Sequence, residues 1–124
     1  MKAYTDLNQS KKLSEILPLE SADMHYWKRT WRENDYAISV GHSKELQEGF
    51  ESKCIEYIPC WSLAALLEII KKLVGYSLQS LDTHTVFMNC ELGDKPYNIE
   101  TENYDNPLDA CYDMIIKLHE QKLL

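Results

Sequence analysis

The chain has 124 residues, 44% of them hydrophobic, with four glycines, four prolines and no low-complexity run or repeat. This excludes a linker or tail and leaves a single domain able to bury roughly two-thirds of its unfolded surface. A formal charge of −7 opposes general affinity for nucleic acid, whose phosphates must be met by clustered lysine and arginine. A membrane span is excluded too, because Glu68, Lys71 and Lys72 interrupt the best apolar run before it reaches the roughly 18 to 20 residues required.

The N-terminal Met1–Ser10 stretch lacks the apolar segment of a secretory signal. A cytoplasmic location is therefore expected, with Cys54, Cys60, Cys90 and Cys111 as reduced thiols.

The first expected element is a helix opening at Thr5 or Asp6, where Asp6 and Gln9 have the spacing of a capping box. Leu13, Ile16 and Leu17 form its apolar face and Pro18 stops it. Met24 to Trp31 then alternates as a strand, with Met24, Tyr26, Lys28 and Thr30 on one side and His25, Trp27, Arg29 and Trp31 on the other. Tyr36 to Val40 repeats the alternation, and the polar Arg32–Asp35 link makes the pair a hairpin. Gly41 to Lys53 fits neither period and reads as a loop with one helical turn. Cys54 to Ile58 reads as a short strand, with Pro59 marking the change to the next element.

Ile58 to Gly75 is the stretch around which the core should form. Ser62 is its N-cap, Gly75 its left-handed closing residue, and Leu63, Leu66, Leu67, Ile70 and Val74 its stripe. Ala64, Ala65, Ile69 and Leu73 leave so little polar surface that the helix must be covered on more than one side. A three-stranded meander follows: Tyr76 to Leu81, His84 to Leu92 and Pro96 to Glu102, with turns at Asp82-Thr83 and Gly93-Asp94-Lys95. Asn106 and Pro107 open the last helix, whose apolar face is Leu108, Cys111, Met114, Ile115 and Leu118. The expected fold is α+β: an antiparallel sheet of three to five strands with the central and C-terminal helices on one face, plus the N-terminal helix.

Few residues carry the pattern of a chemical site. Cys54 and Cys60 are too far apart for a zinc knuckle, and His25, His42, His84 and His119 are scattered. No metal or cofactor is expected. Cys60, beside Trp61 at a helix start, is the one candidate for thiolate chemistry, with a pocket near His84 and His119 as a related small-ligand alternative. From Glu91 to Asp113 seven acids face one base, Lys95. That stretch reads as a solvated face, or as a DNA-like surface for a basic partner.

The sharpest feature is Tyr26-Trp27-Lys28-Arg29-Thr30-Trp31-Arg32, with two of the three tryptophans and both arginines of the chain. Trp27, Arg29, Trp31 and Arg32 are residue types favoured in protein-binding hot spots and in stacking. Either they form an exposed binding surface, or the tryptophans face the core and the basic groups extend outward at its rim.

Three blocks group the chain with others: Gln9 to Met24, Ile58 to Leu67, and Asn106 to Glu120. Together they resemble small uncharacterised proteins from phages and other mobile elements of gut bacteria. The resemblance covers about 40% of the chain and implies a setting without an activity or site residues. The expectation is a non-enzymatic accessory protein that binds an unidentified protein partner.

Overall fold

The computed structural model describes the backbone of residues 3–31, 36–41, 47–50, 53, 55–73, 75–80, 86–91, 98–102 and 104–122, and the side chains among them outside 73–100. Helix α1 spans Leu7–Ser14, and a 3-10 turn follows at Leu19–Ser21. Strands β1 (Met24–Arg29), β2 (Ala37–Val40) and β3 (Ile55–Cys60) lead into helix α2 (Leu63–Leu73). Strands β4 (Gly75–Ser80), β5 (Val86–Glu91) and β6 (Asn98–Glu100) then lead to helix α3 (Pro107–Glu120). The fold is α+β, with the strands divided between two antiparallel three-stranded sheets, β2-β1-β3 and β4-β5-β6.

Capping sets the helix starts. Asp6 accepts from the Gln9 amide while the Gln9 side chain accepts from the Asp6 amide, the capping box that the sequence signals. Ser62 Oγ accepts from the Ala65 amide at 3.2 Å, and Asn106 Oδ1 accepts from the Asp109 amide at 2.9 Å. Pro107 takes the first turn of α3, where its missing N–H leaves nothing unpaired.

Two proline and glycine expectations are corrected. Pro59 does not mark the end of a strand: β3 runs through it to Cys60, as an edge strand can, because a missing donor there costs no ladder bond. Gly75 is not a left-handed cap. It is the first residue of β4 and pairs with Glu91, since α2 passes into the strand within two residues and leaves no turn to close. One helical turn, residues 47–50, does lie in the segment read as a loop. Arg32 and the rest of the β1–β2 link through Asp35, His42, Cys54, Val74, the turns at Asp82-Thr83 and Gly93-Asp94-Lys95, His84 and Leu92 lie outside the described residues.

The core sits among the helices. Leu13, Leu17 and Ala22 from the N-terminal part meet Trp61, Leu66 and Ile70 of α2 and its approach, and Leu108, Cys111, Met114, Ile115 and Leu118 of α3. Helices α2 and α3 lie side by side against the second sheet, α2 toward β4 and α3 over β5 and β6, while α1 rests on β3. Trp61 is fully buried, and its indole N–H donates to Ser21 Oγ at 3.0 Å. That bond satisfies the one polar atom that burying the ring removes from water.

The N-terminal segment is fastened at the same point. The Thr5 amide donates to the Trp61 carbonyl at 2.9 Å and the Leu63 amide to the Ala3 carbonyl at 3.1 Å. The Thr5 hydroxyl is buried with those of Ser10 and the Cys60 thiol. Asp23 accepts from both the amide and the hydroxyl of Ser62, so the start of β1 is tied to the start of α2.

Candidate protein-binding surface

Strand β1 is the middle strand of its sheet, and its period of two divides its side chains between two faces. On the face beside α1, Tyr26 OH donates to the Thr5 carbonyl at 2.8 Å, and the rings of Tyr4 and Tyr36 meet Tyr26 edge-on at 6.5 and 6.4 Å. Lys28 Nζ lies 3.2 Å from Glu56 and 5.5 Å from the centre of the Tyr36 ring, while Tyr36 OH donates to Glu56 at 2.7 Å. Those two hydrogen bonds and the lysine charge hold the Glu56 carboxyl below its usual range. Burial, with Glu56 added, pushes Tyr36 up to about 12. Tyr26 also rises to about 12, first by burial and then by the anionic forms of Cys60, Tyr4 and Asp6.

The opposite face is a second aromatic layer. His25, only 3% exposed, stacks on Tyr57 at 5.0 Å and meets Phe50 edge-on at 5.6 Å. Its Nδ1 is 2.6 Å from the Gly41 carbonyl. A carbonyl can only accept, so Nδ1 carries the proton. Gly41 has φ 97°, a conformation that suits glycine. Trp27 packs against Phe50 at 6.2 Å, and its indole N–H donates to Ser39 Oγ at 3.2 Å. Burial alone raises Tyr57 to about 12.

Past the end of β1 the surface changes character. Trp31 is 65% exposed, and the Arg29 guanidinium lies 5.5 Å from the centre of its ring. A planar cation over an indole ring is attracted by the ring quadrupole, and both side chains remain exposed to solvent. Among the described residues no carboxylate forms an ion pair with Arg29.

The sequence-derived residues therefore separate. Arg29 and Trp31 are brought together and exposed; Trp27 is half-buried on the same side of β1 and serves the sheet; Arg32 lies outside the described residues. The contribution of His25 and Phe50 was missed, although the alternation of β1 already put His25 beside Trp27.

The alternative centres are placed as follows. Cys60 is fully buried, and burial pushes its thiol up, against the lowering contacts from Thr5 and Ser10. A thiol so placed is the reverse of an activated thiolate. His119 is exposed in the last turn of α3, and the other half of that proposed pocket, His84, is not described. Among the described residues no three His, Cys, Asp or Glu side chains converge on a metal position, and no described helix is long and apolar enough to cross a membrane. Comparison with known proteins returns no match: no family model, curated protein or solved structure is similar to this chain.

Proposed function

We propose that this protein is a non-enzymatic accessory protein of a mobile element and acts by binding another protein at the Arg29–Trp31 end of the first sheet. The observation that carries the reading is the exposed Trp31 with the Arg29 guanidinium against its ring. Tryptophan and arginine dominate binding hot spots because each offers a large contact area together with a polar or charged group. Opposing charge elsewhere on the chain, and the overall −7, favour a protein over a nucleic acid as the occupant.

The test is capture from host lysate with the tagged chain, using the Arg29→Ala, Trp31→Ala double variant as control. Both side chains are exposed, so the variant keeps its fold, which circular dichroism checks. Trp27 is left in place because it also holds Ser39 and Phe50. A partner enriched by the wild type and lost from the variant is the expected result. A partner retained at full yield by the variant removes the surface from consideration.

A further inference from the structure

The two edges of the first sheet are finished differently. The Gly41 amide donates to the Asp23 carbonyl at 2.8 Å, one step beyond the pairing of Val40 with Met24. Antiparallel pairs alternate between bonded and unbonded, so Ser39 and Ala37 turn their backbone groups to β1, whereas Ile38 and Val40 turn theirs away from it. The same alternation across β1 turns Pro59, opposite His25, to the outer side of β3. That edge therefore lacks a donor at Pro59, and just past it the Thr5 amide takes the Trp61 carbonyl and the Ala3 carbonyl takes the Leu63 amide. The β2 edge has no such cover. Ala37–Val40 contains no proline, charge or bulge, and among the described residues the outward backbone groups of Ile38 and Val40 make no hydrogen bond. Val40 is also 83% exposed, with Ile38 two residues away on the same face.

We propose that β2 accepts an extended basic segment of a partner protein as a fourth strand, in which apolar residues alternate with lysine or arginine. The site lies on the same sheet as the surface at Arg29 and Trp31 but uses neither residue. An added strand pairs its backbone with Ile38 and Val40, and its apolar residues lie beside those two side chains on one face. The intervening residues fall beside Ala37 and Ser39, on the other face. Charge decides what those intervening residues are. The chain carries −7 overall, β2 itself carries no charge, and at the Val40 end the neighbouring backbone belongs to the exposed Asp23. A basic segment is attracted to such a surface. A second copy of the chain brings another −7 and is repelled.

The experiment selects random linear peptides displayed on phage against the full chain, then measures synthetic versions of those recovered. The expected peptides alternate β-branched or aromatic residues with Lys or Arg. On binding they slow hydrogen exchange at the outward Ile38 and Val40 amides, and they leave those of Ala37 and Ser39, already bonded to β1, nearly unchanged. N-methylation of alternate peptide amides keeps the charge and weakens binding by about tenfold or more; added salt weakens it too. Val40→Pro removes the outward donor and keeps the ladder to β1, while Val40→Lys places a like charge at an exposed position. Both variants lose the peptides, and Val40→Lys does so without unfolding the chain.

An empty selection, peptides without basic preference, unchanged exchange at Ile38 and Val40, or full affinity after N-methylation each overturn the proposal. Binding that survives Val40→Lys and disappears in the Arg29→Ala, Trp31→Ala variant belongs to the other surface and overturns it as well. Concentration-dependent self-association that Val40→Lys abolishes makes the occupant a second copy, with the same consequence.

Discussion

Trp61 and Trp31 put the same side chain to opposite uses. Around Trp61 every requirement of the ring is met within the chain: it is fully buried in the core that α1, α2 and α3 share, and Ser21 accepts from its N–H. Around Trp31 the described residues supply the Arg29 guanidinium, and most of the ring remains in water. The difference teaches where burial was available. Trp61 enters between helices that already need apolar cover, whereas Trp31 follows the last residue of a thin sheet whose two faces are already occupied by tyrosines on one side and by His25, Trp27 and Phe50 on the other.

The largest expected effect comes from the buried ring. Trp61→Ala should destabilise the chain by about 3 to 5 kcal/mol, read as a lower urea midpoint; an unchanged midpoint would break the contrast with Trp31. Next, Asp23→Ala removes the acceptor for two Ser62 donors and should cost about 1 to 2 kcal/mol, with Asp23→Asn restoring part of it. A loss equal to that of Trp61→Ala would mean that the tie between β1 and α2, and not the helical core, holds the molecule together.

Alkali should loosen the first sheet and the helical core alike, because Tyr104, packed on that core, is raised to about 12 as well, by burial first. Tyr26, Tyr36 and Tyr57 are all raised from 10.0 to about 12, so the neutral ring is the form favoured by the folded state. Their stabilising contribution is fully present below pH 10 and is lost as pH rises toward 12. Tyrosinate absorbance with parallel urea midpoints measures this, and ordinary titration near pH 10 would contradict the burial. The smallest effect on stability is expected from Trp31→Ala, within about 0.5 kcal/mol. A larger loss would show that the exposed ring supports the fold and is not reserved for a partner.

Much of this architecture is written locally. The Asp6–Gln9 capping box, the Asn106-Pro107 helix start and the alternation of β1 each depend on neighbours in sequence, and each forms as the residues indicate. Gly75 and Pro59 misled because their roles depend on what lies beside them: a strand beginning at once after α2, and an edge with no ladder to break. For the proposed surface, the sequence put Arg29 and Trp31 on one face of a strand, whereas β1 ends at Arg29 and Trp31 meets the guanidinium from the turn that follows. The separation of Trp27 from that pair was not legible, because it is set by Phe50 and Ser39, from two other segments. The burial of Cys60 was hidden for the same reason, since Thr5 and Ser10 close over it from the far end of the chain.

Gln9 joins the two ends of the chain: its carbonyl oxygen caps α1 while its amide donates to Asp109, 100 residues away, at 2.8 Å. During synthesis at about 5 to 20 residues per second, α1 emerges roughly 5 to 20 seconds before the helix that completes its setting. Through that interval Leu13 and Leu17 belong to a core whose third helix has not yet been made. The nascent chain is therefore obliged to carry an open apolar face until α3 has been made, and that interval is when a chaperone has access to it.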